Sequence, residues 1–141
     1  MKFTPTFQDV NPIKDNVFIQ THEKFKDSKS IEEYCKLTLS DGIDRLNLDQ
    51  RETLFWDNIF KKRNIYGSEV EATLFDNNLK IFNMSHLNDP VSIERDLRDN
   101  RINGVNTPFL YVGSFGTSFA FHVEDYNLSS TTYLHVGDPK T

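Results

Sequence analysis

Apolar residues along this chain fall at strand spacing near the start, at helical spacing through the middle, and at strand spacing again in the last third. The run F-T-P-T-F at 3–7 reads as a short extended segment that Pro5 confines to an edge or turn. Asn11-Pro12 predicts a turn, and the β-branched and aromatic run at 17–21 predicts a strand. The charged residues of 22–29 read as a solvated connection. A helix is expected from Ser30, which forms a capping box with Glu33, through Ile31, Tyr34, Cys35 and Leu39 to Asp41-Gly42. A second helix is expected from Asp49, with Leu48, Phe55 and Ile59 on one side, widened by Trp56 and Phe60. Lys61, Lys62 and Arg63 then suit the negative pole of its dipole as helix termination. Alternation at 69–75 predicts a half-buried strand, 76–78 a turn, and 79–84 is open between strand and short helix. Asp89-Pro90 predicts a helix with Asp as N-cap and Pro at its first position, closed by 100–104. Three short strands are expected at 109–112, 117–123 and 131–136, with a hairpin turn at 113–116.

Composition narrows the classes. With 141 residues, 37% hydrophobic and 26% charged, the chain has the make-up of a soluble globular domain or part of one. A net charge of −5 argues against a broad basic nucleic-acid surface and leaves room for a Lys/Arg-rich peptide partner. Cys35 is the single cysteine, so neither a disulfide framework nor a Cys-rich zinc site can form within these residues; it reads as a small buried apolar side chain. No stretch approaches the ~18 apolar residues of a membrane span, and the N-terminus has no apolar h-region of a secretory signal.

Candidate chemistry concentrates in F-A-F-H-V-E-D at 119–125. On a strand His122 and Glu124 emerge on one face, while Phe119, Phe121 and Val123 point the other way. An imidazole and a carboxylate so placed are two of the three ligands of the 2-His-1-carboxylate triad that holds non-haem Fe(II) with open positions. By itself the H-x-E pattern is equally the polar face of an ordinary strand.

The neighbouring segments turn the pattern into a resemblance. G-V-N-T-P-F-L-Y-V-G at 104–113, then the H-V-E-D run, then Y-L-H-V-G-D-P-K at 133–140, with Trp56 and I-Y-G at 65–67 upstream, resemble the first half of a JmjC domain. They are most similar to the JmjN/JmjC histone lysine demethylases that act on trimethyl-lysine of the histone H3 tail. The resemblance divides the chain into a shortened JmjN-like segment at 1–17 and the N-terminal part of a JmjC domain at 18–141. It implies an α+β chain forming an incomplete double-stranded β-helix, a jelly-roll of cupin type, with N-terminal helices. It implies oxidative demethylation with Fe(II) and 2-oxoglutarate as co-substrate, releasing formaldehyde. His122 and Glu124 match the first two iron ligands. Lys140 matches the lysine paired with the distal carboxylate of 2-oxoglutarate, and Tyr66 the phenol that hydrogen-bonds it. A cation plus an O–H donor suits one carboxylate. Phe119 matches a ring lining that pocket. Tyr111, Gly104 and Glu124 match the pocket for the methylated ammonium, where an aromatic face and oxygen atoms suit a diffuse cation. The implied partner is a methylated histone H3 tail in chromatin, and the implied location is the nucleus.

The chain departs from the family in places. Thr132 stands where relatives carry an Asn that contacts 2-oxoglutarate, so it keeps a hydroxyl and loses the amide's reach. Glu69 replaces a shorter acid near the substrate tail, and Phe109 replaces a Tyr. The second ligand histidine and the zinc site of the family lie beyond the matched segment. His135 matches a non-ligand histidine, while His22 and His86 lie remote from the roll. The expectation is therefore a fragment that is inactive alone. Two further readings stay open: a non-catalytic binding remnant, and a JmjC hydroxylase of protein side chains.

Overall fold

A computed structural model describes residues 1–15, 17–40 and 42–140. Contacts divide the chain into two compact units, Met1–Val70 with Leu110–Ala120, and Glu71–Phe109 with the chain from Phe121 onward.

In the first unit, β2 (Thr6–Lys14) and β3 (Val17–Lys24) form an antiparallel hairpin, and β2 also pairs with β5 (Asn64–Val70), which pairs with β6 (Leu110–Val112). The strand order is β3-β2-β5-β6. The expected turn at Asn11-Pro12 is instead strand: Pro12 opposes Phe18 beside a register shift, and the chain reverses after Lys14. Beyond Gln8, β2 pairs with β3 alone, so a proline next to a bulge removes no bond that both neighbours need. His22 and Lys24, expected in a connection, are the end of β3.

A second, two-stranded piece pairs β1 (Lys2–Phe3) with β4 (Lys29–Ser30). Ser30 caps α1 (Ile31–Thr38) as expected: its hydroxyl accepts from the Glu33 N–H at 3.2 Å, and Glu33 accepts from the Ser30 N–H at 2.7 Å. Of the four apolar positions read onto α1, Tyr34 alone is buried, its hydroxyl donating to the Ile65 carbonyl at 2.8 Å and its ring lying 5.4 Å from Phe3. Cys35, expected inside, is exposed; it lies one residue on from the face that Tyr34 turns inward. The end expected at Asp41-Gly42 falls partly outside the described residues, since Asp41 is not described; the helix has its C-cap at Leu39.

The second helix, α2 (Leu48–Asn58), begins earlier than expected because Asn47 and Gln50 make a capping box from two amide side chains. Leu48 and Trp56 stay exposed on it. Arg63 does not terminate this helix. It pairs with Asp9 at 2.9 Å and Glu23 at 2.5 Å, and its guanidinium lies 4.3 Å from the Phe7 ring centre. Those carboxylates hold its pKa above the ordinary arginine value. The strand expected at 69–75 runs instead from Asn64 to Val70, with Glu69 at φ 53° where the β5–β6 register shifts. Gly67 is required there: a Cβ would come within 2.5 Å of the Phe3 ring and 3.0 Å of Val112.

In the second unit, α3 (Pro90–Arg98) starts as expected. Asp89 accepts from the Val91 and Ser92 N–H groups at 2.9 and 3.1 Å and from the Ser92 hydroxyl at 2.6 Å. The ambiguous 79–84 stretch is no strand; it leads into a 3-10 turn at Met84–His86, held by buried Asn83. Buried Arg95 donates to the Asn106 carbonyl at 2.7 Å and pairs with Asp96 at 2.8 Å, which fixes the following loop.

The expected strands at 117–123 and 131–136 do not form. Among the described residues none pairs with these segments as a ladder. Phe121 is fully exposed, with Val123 at 75% and Val136 at 82%. A run with strand composition but no neighbour leaves its N–H and C=O groups to water and stays extended coil. The architecture is α+β, with mixed helix and antiparallel sheet.

Candidate active site

The residues singled out in the sequence fall into both units, each of which has its own cluster.

In the first unit, β5 carries Tyr66 and β6 carries Tyr111, and the segment after β6 adds Phe119. The three rings touch: Tyr66–Phe119 centroids lie 5.8 Å apart, Tyr111–Phe119 5.4 Å and Tyr66–Tyr111 6.1 Å. Both pairs with Phe119 are edge-on, an arrangement favoured by the ring quadrupoles. Tyr66 is buried, while Phe119 and Tyr111 are half-open at 50% and 42%. Burial, reinforced by Tyr111 and Tyr34, pushes the Tyr66 phenol well above its ordinary value, so it is a neutral O–H donor at any physiological pH. The backbone of Tyr66 is held by Thr6, whose hydroxyl donates to its carbonyl at 3.2 Å. Glu69 is exposed on the same strand.

In the second unit, His122 and Glu124, expected on a strand, lie on a segment that pairs with no neighbouring strand among the described residues, and their side chains still approach each other, Nε2 to Oε1 at 3.6 Å. Two ligands at about 2.1 Å from one ion, at roughly right angles, stand about 3 Å apart. The pair thus approaches a chelating spacing, and a neutral imidazole with an ionised carboxylate is a suitable donor set for Fe(II). Both side chains are accessible. No group of three or more His, Cys, Asp or Glu side chains arranged for a metal occurs among the described residues. The residues therefore fit a metal at two positions.

Gly104 sits in the loop after α3 at φ 79°, its N–H donating to the Thr107 carbonyl at 2.9 Å, with the Phe109 ring against the place a Cβ would take. Thr132 and Lys140 are exposed, and partial desolvation lowers the Lys140 ammonium pKa. His135 packs on Phe75 at 4.4 Å and Tyr133 at 5.0 Å.

Sequence reasoning missed the polar side chains that hold this framework. Gln8 is 1% exposed on the inward face of β2, and Asn106 is buried in the loop bearing Gly104. No sequence signal marked Gln8, because apolar Phe7 and Val10 fall on opposite faces of the run and leave its inward face undefined.

Comparison with known proteins identifies the relatives. The chain is 38% identical over 128 residues to lysine-specific demethylase 4D of Rattus norvegicus, covering 89% of this chain and 25% of that protein. It is 34% identical over 137 residues to probable lysine-specific demethylase 4F of Homo sapiens, covering 95% of this chain and 21% of that protein. It is 33% identical over 119 residues to lysine-specific demethylase 4B of Mus musculus, covering 82% of this chain and 11% of that protein. The chain thus spans a quarter or less of the length of these relatives. No protein-family model matches it. The JmjC resemblance read from the motifs is shown by these homologues, which are lysine-specific demethylases of the 4 group.

Proposed function

We propose that this homologue of the lysine-specific demethylase 4 proteins carries part of a JmjC active site, for Fe(II)- and 2-oxoglutarate-dependent removal of N-methyl groups from histone H3 lysines. The observation that carries the reading is the His122–Glu124 pair, 3.6 Å apart on one side of an extended segment, in a chain with these relatives. The reading keeps the division at 1–17 and 18–141, the jelly-roll class for the complete domain, and a nuclear, chromatin-bound setting.

Each residue has a role that its chemistry can perform. His122 and Glu124 would hold the metal, which when bound supplies oxygen activation. Tyr66, kept neutral by burial, would donate its O–H to the co-substrate carboxylate, and Lys140 would supply the opposing charge. Phe119 would form an apolar wall of that pocket, and Thr132 would offer a hydroxyl. Tyr111, Gly104 and the second oxygen of Glu124 would meet the methylated ammonium, with Glu69 toward the peptide. With two metal donors among the described residues, turnover is assigned to a protein that supplies a third.

The test is a titration of the 141-residue chain with Fe(II) or Mn(II), with and without 2-oxoglutarate, beside a formaldehyde assay on a trimethylated H3 peptide. Weak metal binding that disappears in His122→Ala and Glu124→Ala supports the reading. Binding indifferent to both substitutions would overturn it. A second reading is a binding module without catalysis, since two metal donors and not three are grouped among the described residues. It predicts H3-peptide binding that ignores both metal and 2-oxoglutarate.

A further inference from the structure

Ser118 is bonded by a side chain in the way a strand neighbour would bond it. Its N–H donates to Gln8 Oε1 at 2.9 Å, and its carbonyl accepts from Gln8 Nε2 at 2.8 Å. One amide group thus makes both bonds that an adjacent strand residue would make across a ladder. The second N–H of that amide points at His22 Nε2, 3.2 Å away, which accepts in the tautomer protonated at Nδ1. Gln20 adds a second clamp from β3, donating to the Ser118 carbonyl at 3.3 Å and hydroxyl at 3.1 Å.

The anchor itself is rigid. Gln8 opposes His22 of β3 on one side and Asn64 of β5 on the other, and its side chain is buried. Ser118 has no such ladder, since 117–123 is not a strand. The next residue is Phe119, whose ring closes edge-on against Tyr66 and Tyr111. The Ser118 backbone is therefore one anchor next to that ring, beside Thr117, which bonds to the Ser114 carbonyl.

We propose that Gln8 is a positioning residue: its amide stands in for a missing strand at Ser118 and so places the Phe119 ring against Tyr66 and Tyr111. The consequence for 2-oxoglutarate rests on the functional reading above; the placement of the ring does not. Gln8 touches no reacting group, and its effect on the co-substrate runs through Phe119. A buried glutamine also satisfies its own hydrogen bonds by this arrangement, and a purely structural role would end there.

The experiment uses the full chain with 4-fluorophenylalanine at position 119. Three signals are read: the fluorine shift, amide exchange at Ser118, and 2-oxoglutarate affinity in the presence of Mn(II). In Gln8→Ala the fluorine signal is expected to move toward its unfolded-chain position, and Ser118 exchange to rise about tenfold, the loss of roughly one hydrogen bond. Amides of the β2–β3 ladder report whether the sheet has stayed folded. If Gln8→Ala unfolds it, Gln8→Glu decides. That variant keeps the acceptor for the Ser118 N–H but sets a carboxylate against the Ser118 carbonyl, so the fluorine signal must still move. An unchanged fluorine signal in the folded variant overturns the proposal. Where the parent chain binds no 2-oxoglutarate, the functional reading falls, and the fluorine and exchange signals still judge Gln8. Where the parent binds it, the ring shift is expected to be matched by weaker binding in the variant.

Discussion

At the scale of single residues, Tyr66 is where packing and proposed chemistry meet. Its ring is part of the aromatic trio, and its hydroxyl is the proposed donor to the co-substrate. Tyr66→Phe keeps the first and removes the second. The expected outcome is a fold whose stability changes by no more than about 1 kcal/mol, with 2-oxoglutarate binding weakened at least about tenfold, the usual worth of a bond to a charged group. Calorimetric titration of both proteins checks it; equal affinities would remove Tyr66 from the site. The raised pKa has a separate consequence. An unfolded tyrosine loses its proton near pH 10, while burial keeps that proton on Tyr66 and Tyr34 in the folded chain. The contribution to stability is therefore full below about pH 10 and is lost as pH rises through the folded values. Tyr66→Phe is expected to flatten this alkaline decline without abolishing it, because Tyr34 titrates in the same sense. Denaturant melts from pH 9 to 11 read the slope.

Among the elements, helix starts were the most legible part of the fold. A capping box is local chemistry, so Ser30 with Glu33 and Asp89 before Pro90 could be read without knowing any tertiary neighbour. Ser30→Ala is expected to cost about 1 kcal/mol, measured by urea unfolding. Asp89 adds a pH signature. Bonding from the Ser92 hydroxyl, followed by the Ser92 and Val91 amides, holds its carboxyl below the ordinary aspartate value. Its contribution is complete above the unfolded value near pH 4 and disappears as pH falls through the folded one. Loss of α3 amide protection on acidification, abolished in Asp89→Ala, is the expected observation. Strand partners were not legible in the same way. Residues 117–123 and 131–136 have strand composition, yet a strand exists only when another backbone lies beside it, and composition does not say where that backbone is. The same limit hid Gln8, whose role depends on a residue 110 positions away. For His122 and Glu124 the closeness of the two side chains was legible from their spacing, while the strand expected to carry them was not, and their ligand role stays a proposal.

At the scale of the whole molecule, the distribution of burial sets the behaviour. Buried apolar side chains such as Phe3, Tyr34 and Tyr66 belong to the first unit, where the antiparallel ladders also lie. Residues 121–140 contribute no strand, and Phe121, Val123, Tyr126, Leu134 and Val136 are each at least half exposed. Opening free energy follows buried apolar contact and hydrogen-bonded backbone, so it differs between these parts of one chain. Native-state hydrogen exchange is expected to show two tiers: slow amides in β2, β3 and β5, and amides of 129–137 exchanging close to the unprotected rate. The same exposed side chains form apolar surface of the kind that binds the dye 8-anilinonaphthalene sulfonate. Dye fluorescence is therefore expected under native conditions, with the ladder amides still protected, which separates surface exposure from a loosened core. Replacing Phe121, Val123 and Val136 together with Ser is expected to lower dye binding and leave ladder exchange unchanged. Slow exchange throughout 129–137, or dye binding indifferent to the triple substitution, would show that these apolar side chains are packed and that stability does not divide between the two parts.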